Sequence, residues 1–169
     1  MQNYHRIVVK VGSNVLTTDQ GHPDEARLQH LIRQISELRR NRLEVILVTS
    51  GAVASGRSLV PFEERTDPVI RRQVLAAVGQ VRLMNLYSEF CRANDLLCAQ
   101  ILVTKEDFRS RRHYLNTRNC FSALLEQSIL PIANENDAIS VTELMFTDND
   151  ELAGLIASMM DADAVFLMT

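Results

Sequence analysis

The sequence lacks the marks of a secreted, membrane-spanning or nucleic-acid-binding protein. Its first residues carry no basic flank followed by an apolar core, and no apolar run approaches the roughly 18 residues of a membrane span, so neither secretion nor membrane insertion is expected. The net charge of −3 gives no support to nucleic-acid binding. The three cysteines, Cys91, Cys98 and Cys120, are odd in number and lack metal-ligand spacing. They indicate reduced thiols in a cytoplasmic protein.

Several catalytic motifs are also absent. The chain has neither the glycine-rich P-loop pattern nor the dinucleotide pattern G-x-G-x-x-G. Ser50 lacks the preceding glycine of a nucleophile elbow, which argues against a serine hydrolase. Asp148 and Asp150 alternate around Asn149 but lack the rest of a calcium loop, so they predict no protein-built metal cage. For Asp148, helix capping is an equally good interpretation.

Lysine is scarce, and its scarcity directs attention to Lys10. The chain has 18 basic residues, of which only Lys10 and Lys105 are lysines. Lys10 interrupts an apolar, largely β-branched run that predicts a strand buried on both faces. A compact ammonium in such a strand indicates a functional cation. A lysine that extends from the strand end into solvent fits the same pattern.

The remaining pattern predicts one α/β domain, and the length of 169 residues suits this. Strand patterns alternate with amphipathic helices, which predicts a mainly parallel central sheet with helices on both faces, a three-layer αβα sandwich. After the first strand, the predicted strands are 43–49, 96–103, 129–133 and 164–169. The predicted helices begin near 25, 67, 114 and 148 and end near 40, 94, 127 and 160, and segments 50–56 and 57–66 are predicted as loops.

Two local features allow two interpretations each. Gly79 lies in the small-residue patch 76–80, where it permits either close helix packing or a close approach of the backbone to a ligand or subunit. A basic cluster forms either a solvated face or a contact with an anion or partner; it comprises Arg109, Arg111, Arg112 and His113.

Polar clusters follow four of the predicted strands. They are 10–13, 50–51, 104–105 and 134–137. Because the carboxyl ends of parallel strands share one edge of a sheet, and ligands bind there, we expect the four clusters to form a site. Gly12 and Gly51 leave turns whose backbone N–H groups can point at phosphate oxygens.

Five segments together carry a family resemblance. They are 8–13 (VVKVGS), 48–56 (VTSGAVASG), 76–80 (AAVGQ), 134–137 (NEND) and 148–150 (DND). In order and spacing, this set resembles the amino acid kinase family from the first strand to the last residue. The NEND and DND segments resemble the branch that acts on L-glutamate, rather than acetylglutamate, aspartate, carbamate or uridylate kinases.

The resemblance implies ATP-dependent phosphorylation of the γ-carboxylate of L-glutamate to γ-glutamyl phosphate, the first step of proline biosynthesis. A carboxylate is already ionised at neutral pH, so this reaction needs no general base. Mg²⁺ would be carried by ATP phosphates and water, with no metal ligand from the protein. The resemblance implies catalytic roles for Lys10 and Asp150. It implies substrate binding by Ser50, Gly51, Asp137 and Asn149, and phosphate or nucleotide binding by Lys10, Gly12, Ser13 and Thr169.

The resemblance also implies that residues 1–169 form the N-terminal, amino-acid-binding lobe of a truncated kinase domain. The nucleotide-binding lobe would be missing, and with it a second catalytic lysine whose position Lys105 does not occupy. Kinase turnover by this chain alone is therefore not expected. Thr147 stands where the family usually has glycine, so the local turn there is expected to differ.

The expected partners are L-glutamate, ATP, the possible feedback inhibitor L-proline and further copies of the same chain, with no nucleic acid and no membrane. Three alternatives remain open. The chain could be a non-catalytic glutamate- or proline-binding fragment. It could be an oligomerisation fragment that associates through segment 83–90. It could also derive from another family member, such as acetylglutamate kinase.

Overall fold

The computed structural model describes residues 4–18, 22–62, 66–140, 146 and 148–169. Within these residues the chain forms a five-stranded sheet in the order β3-β4-β2-β1-β5, and every neighbouring pair is parallel. The strands are β1 (Arg6–Val11), β2 (Glu44–Thr49), β3 (Leu97–Val103), β4 (Ile129–Glu135) and β5 (Ala164–Met168). The predicted parallel architecture is confirmed.

Helices cover both faces of this sheet. The described helices are α1 (Ser13–Leu16), α2 (Glu25–Arg40), α3 (Ala52–Arg57), α4 (Pro68–Arg92), α5 (Lys105–Arg109), α6 (Arg111–Glu126) and α7 (Asn149–Met159). Apolar side chains of α2 and α4 form a core on one face, and those of α6 and α7 form a second core on the other. The predicted three-layer αβα sandwich is therefore confirmed.

β1 is an inner strand of the sheet, and this position explains its continuous apolar run. Ile7, Val9 and Val11 belong to the core under α2 and α4, whereas Val8 belongs to the core under α6 and α7. Side chains of a strand alternate between faces, so Lys10 shares the α7 side with Val8. β1 pairs with β2 and β5 along its two edges, and the helices cover both of its faces.

Aspartate caps determine where three helices begin. Asp24 caps α2, Asp67 caps α4 and Asp148 caps α7, with carboxylate oxygens 3.0, 2.8 and 2.9 Å from a backbone nitrogen of the first turn. Such a cap contributes about 1 kcal/mol to helix stability. The predicted helix starts at these three places are confirmed, and capping is the observed role of the Asp148 side chain.

Three short helices occupy segments that were expected to be loops. α1, α3 and α5 have 4, 6 and 5 residues. Segments this short cannot display the repeat of apolar residues from which a helix is predicted. α6 also begins at Arg111, earlier than expected, because Ser110 caps it. Three members of the basic cluster, residues 111–113, lie exposed in its first turn, in agreement with a solvated face.

β4 is longer than predicted. It continues through Asn134 and Glu135, which pair with Leu102 and Val103 of β3. The predicted strand ends at residue 133 because the polar side chains at 134 and 135 do not continue its apolar pattern. After β4, Phe146 is buried. Positions 145 and 147 lie outside the described residues, so the expected departure at Thr147 stays a prediction.

α3 packs on α4 with almost no space between the two backbones. A Cβ added to Gly79 would lie 1.8 Å from the carbonyl oxygen of Ala52, and one added to Gly56 would lie 2.1 Å from the carbonyl oxygen of Leu75. Both distances are far below any real contact, so only glycine fits. The close-packing interpretation of Gly79 is confirmed, and this contact holds α3 at the carboxyl edge of the sheet.

The long helix α4 divides its apolar residues between the core and the surface. Leu83 and Tyr87 are 1% and 0% exposed within the chain's own core. Segment 83–90 thus has two residues in this chain's core, whereas Asn85, Ser88 and Glu89 are exposed, and its association with a second subunit stays a prediction. The exposed large apolar side chains of α4 are Val69, Ile70, Val74, Val78 and Val81. Among the described helices, none combines the length and apolar character that a membrane crossing requires.

Candidate functional site

Asn149 joins two strand ends at the carboxyl edge of the sheet. Its Nδ2 group donates to the Thr49 carbonyl oxygen at 2.8 Å, to Ser50 Oγ at 2.7 Å and to Asn134 Oδ1 at 3.2 Å. Asn134 is held in turn by Gln80, whose Oε1 accepts from its Nδ2 at 3.0 Å. The ends of β2 and β4 and the start of α7 therefore meet. The sequence predicted this for clusters 50–51 and 134–137, and the resemblance added Asn149.

Lys10 and Asp150 form an ion pair beside this network. Lys10 Nζ lies 2.5 Å from Asp150 Oδ1, and the lysine is only 7% exposed. The interpretation of Lys10 as a side chain that extends into solvent is therefore wrong. The Asp150 side chain is 35% exposed, so the lysine is the more deeply buried partner. A buried charge is costly unless it is paired, and Asp150 supplies the opposite charge.

Two glycines shape the loops around the pair, and they do so differently. Gly51 has φ +98°, a left-handed conformation that side chains rarely adopt, and it starts α3. Gly12 lies against the ammonium, because a Cβ built on it would be 3.4 Å from Lys10 Nζ. The N–H of Gly12 donates to the Met168 carbonyl oxygen at 2.8 Å. The expectation that this N–H group points to a phosphate is therefore not met; β5 occupies it.

A cleft of about 350 Å³ opens next to the ion pair. It is lined by Ser13, Ser50, Gly51, Ala52, Val53, Ala54, Arg57, Arg72, Asn134, Glu135, Asp137, Phe146, Asp148 and Asn149. All four predicted substrate residues line it, together with Ser13. Lys10, Gly12, Asp150 and Thr169 do not; Thr169 lies next to Gly12, with its Cα 3.8 Å from the Cβ position of that glycine.

The cleft contains charged groups to which sequence reasoning gave no role. Arg72 Nη2 lies 2.8 Å from Asp137 Oδ1 and pairs with it, and Arg57 also lines the wall. Neither arginine carries a signal in the sequence, because both lie among many surface arginines. Only the packing of α3 and α4 over the edge of the sheet turns them towards the strand ends.

A buried carboxylate supports the floor of the cleft. Glu135 is 6% exposed, and its Oε1 accepts from the Phe146 backbone N–H at 3.2 Å. Burial raises the pKa of the Glu135 carboxyl above its ordinary value, and the hydrogen bond from Phe146 opposes that rise. Lys105 lies 5.9 Å from the centre of the Phe146 ring and pairs with Glu151 at 2.6 Å. The predicted cluster 104–105 therefore reaches the same edge, but its lysine serves an ion pair.

The described residues include no group of three or more histidine, cysteine, aspartate or glutamate side chains that could hold a metal ion. The chemistry that this part of the chain offers is instead a cleft with paired charges, amide and hydroxyl groups, and one buried ammonium at its side. Such a site can hold a small zwitterion or anion and place a positive charge near it.

Comparison with known proteins identifies the family. A sequence model of the amino acid kinase family matches residues 5–169. A protein of Chlorobaculum tepidum named glutamate 5-kinase is 57% identical over 166 residues, which cover 98% of this chain and 46% of the relative. A glutamate 5-kinase of Bacteroides thetaiotaomicron is 53% identical over 168 residues, which cover 99% of this chain and 47% of that relative. A glutamate 5-kinase of Clostridium acetobutylicum is 40% identical over 169 residues, which cover 100% of this chain and 63% of that relative.

The chain spans about half the length of most of the curated relatives it matches. The family match nevertheless covers nearly every residue from the first strand onwards. It also includes all of the segments whose side chains meet at the cleft. The chain therefore belongs to the amino acid kinase family.

Proposed function

We propose that residues 1–169 form the amino-acid-binding lobe of a kinase that transfers phosphate from ATP to the γ-carboxylate of L-glutamate. The product would be γ-glutamyl phosphate, the first intermediate of proline biosynthesis. The observation that carries the proposal is the buried Lys10–Asp150 pair beside a polar cleft at the carboxyl edge of the sheet. The names of the most similar relatives support the choice of glutamate.

The proposed chemistry depends on position and charge. The attacking carboxylate is ionised at neutral pH, so the protein needs to align it with the phosphorus atom and to neutralise the transferring phosphoryl group. The ammonium of Lys10 has three N–H donors, and its nitrogen lies 2.5 Å from Asp150 Oδ1 in an ion pair. Asp150 would thus orient Lys10 and leave its other donors for phosphoryl oxygens.

Ser50, Gly51, Asn149 and Asp137 would hold the amino acid. Because Ser50 Oγ accepts from Asn149, the hydroxyl hydrogen of Ser50 is left to donate to a substrate carboxylate. The Nδ2 group of Asn149 is used within the protein, so its Oδ1 is left to accept from an ammonium. Asp137 supplies the negative charge that an α-amino group requires.

ATP would bring Mg²⁺ with it, bound by phosphate oxygens and water rather than by side chains of this lobe. Ser13 and Thr169, the neighbours of Gly12 in sequence and in space, would contact its phosphates. L-proline as an inhibitor, and association of several copies, are further elements of the proposal. So is a cytoplasmic location, which agrees with three unpaired cysteines.

Calorimetry with the 169-residue chain tests this proposal. We expect saturable binding of L-glutamate, weaker binding of N-acetyl-L-glutamate and no ATP-dependent formation of acyl phosphate, which hydroxylamine traps as a hydroxamate. The absence of turnover is expected because the resemblance places the nucleotide-binding lobe and a second catalytic lysine outside residues 1–169. Preference for N-acetyl-L-glutamate would favour the acetylglutamate kinase alternative, and lack of any glutamate binding would contradict the proposal.

A further inference from the structure

The ion pair between Arg72 and Asp137 lies in the wall of the cleft. Arg72 comes from the second turn of α4 and Asp137 follows β4, so the pair joins residues 65 positions apart. The Asp137 side chain is 11% exposed and the Arg72 side chain is 48% exposed. The carboxylate is therefore largely buried in the cleft wall, and the guanidinium is about half exposed.

Both partners retain unused hydrogen-bonding capacity. They share one hydrogen bond, from Arg72 Nη2 to Asp137 Oδ1 at 2.8 Å. Among the described residues, neither side chain makes a second hydrogen bond. A guanidinium has five N–H donors and a carboxylate offers about four acceptor positions, so most of both sets take no part in this hydrogen bond. The pair can therefore accept a ligand without first being broken.

An ion pair with free positions on both partners is complementary to a zwitterion. The head group of a free α-amino acid carries an ammonium and a carboxylate on one carbon. If these lie antiparallel to the pair, the ammonium meets Asp137 and the carboxylate meets Arg72 through charge-assisted hydrogen bonds. An N-acetylated amino acid has no ammonium, and its acetyl group would occupy the place next to Asp137.

We propose that Arg72 binds the α-carboxylate of the substrate while Asp137 binds its α-ammonium, so that the intact pair selects free acidic α-amino acids. The assignment rests on the proposed function, because it takes L-glutamate to be the ligand of the cleft. Arg72 is then a substrate-binding residue, and the distal carboxylate of the ligand extends towards Lys10. Arg57 is the other guanidinium in the cleft wall and the competing candidate.

Comparison of three ligands tests the two charges of the head group one at a time. L-Glutamate carries both, 4-aminobutyrate keeps the ammonium and lacks the α-carboxylate, and glutarate keeps the carboxylates and lacks the ammonium. Arg72→Gln removes the proposed carboxylate partner, and Asp137→Asn removes the ammonium partner. Arg71→Gln is the matched control, since Arg71 is the neighbouring residue, carries the same charge and lies 5.8 Å from the Phe62 ring rather than in the cleft.

Dissociation constants are measured by NMR titration of the 169-residue chain, and thermal midpoints confirm folding. Arg72→Gln should weaken the binding of L-glutamate and glutarate on the order of tenfold and leave the binding of 4-aminobutyrate nearly unchanged. Asp137→Asn should weaken the binding of L-glutamate and 4-aminobutyrate more than the binding of glutarate. Arg71→Gln should change the dissociation constants of all three ligands little and to the same extent. Because the Arg72 pair is partly exposed, the midpoint of Arg72→Gln should lie within a few degrees of wild type.

Two results would overturn the assignment. If Arg72→Gln binds L-glutamate as well as wild type or more tightly, the arginine is a bystander or competes with the substrate for Asp137. If Arg57→Gln, rather than Arg72→Gln, produces the loss selective for α-carboxylates, the wrong guanidinium was assigned. Failure of the wild-type chain to bind L-glutamate is a separate outcome, and it contradicts the proposed function itself.

Discussion

At the scale of single residues, the main feature of the site is a lysine buried near the end of an inner strand of the parallel sheet. Lys10 occupies a position where its neighbours in β1 are apolar, and Asp150 compensates its charge at 2.5 Å. Burial of the pair costs desolvation energy, which an apolar pair of similar volume would not. A costly arrangement of this kind at a strand end agrees with a role in binding or catalysis.

A double-mutant cycle on this pair should show strong coupling. Asp150→Ala leaves the buried ammonium of Lys10 without its partner and should lower the free energy of unfolding by about 2 kcal/mol, less than for a fully buried pair because the Asp150 side chain is 35% exposed. Lys10→Met leaves the Asp150 carboxylate unpaired and should cost less than Asp150→Ala, because the Asp150 side chain is 35% exposed. The double variant should be less destabilised than the sum of the two single changes. Urea unfolding measures all four proteins, and additive effects would show that the pair is not coupled.

The pH dependence of stability should report on Glu135. Burial raises the pKa of its carboxyl in the folded state, so folding favours the protonated form. Its contribution to stability is therefore largest at low pH and declines as pH rises above the ordinary glutamate pKa of about 4.3. Glu135→Gln removes this titration and keeps an oxygen for the Phe146 N–H. The stability of the variant relative to wild type should increase between pH 4.5 and pH 7.

Glu126→Gln is the control for that experiment, because Glu126 is exposed at the end of α6. Its stability relative to wild type should change far less over the same pH range. Urea unfolding at several pH values supplies the comparison. A Glu135→Gln difference that is constant with pH, or that falls as pH rises, would contradict the assigned effect of burial.

At the scale of helices and strands, the cleft depends on the contact between α3 and α4. α3 has only 6 residues and no apolar repeat, so its own sequence does not account for its position. Gly56 and Gly79 permit the two backbones to touch, and this contact places Ala52–Arg57 along one wall of the cleft.

Gly79→Ala should disturb both this contact and the site. The added methyl would lie 1.8 Å from the Ala52 carbonyl oxygen, so α3 must move, and we expect a loss of roughly 1–3 kcal/mol together with weaker L-glutamate binding. Gly154→Ala in α7 is the control, because its Cβ would meet nothing within 4 Å. That variant should gain about 0.5–1 kcal/mol. Equal effects of the two substitutions would contradict the packing argument.

The same elements show what the sequence could and could not predict. The longer helices and the strands were predictable because apolar periodicity, Asp24, Asp67 and Asp148 mark them clearly. The helices α1, α3 and α5 were not, since each is too short for a repeat and depends on neighbours. Asp137 and Asn149 were found through family-like segments. Arg72 was missed because only the long-range placement of α4 brings it to the strand ends.

At the scale of the whole molecule, the order β3-β4-β2-β1-β5 brings distant segments together. β1, β2 and β4 lie side by side although they are far apart in sequence, so their carboxyl ends share one edge. Helices on both faces leave that edge open between α3, α4 and α7. The family match covers this entire arrangement, in a chain about half as long as most of the matched relatives.

The most direct test of the central claim is a map of L-glutamate binding on the 169-residue chain by NMR, recorded as shifts of assigned amide signals. The account predicts saturable shifts concentrated at Ser50, Gly51, Asp137 and Asn149, with little change at the opposite edge of the sheet. Saturable shifts confined to that opposite edge, or no shifts at millimolar L-glutamate, would contradict the placement of the amino acid site in this cleft.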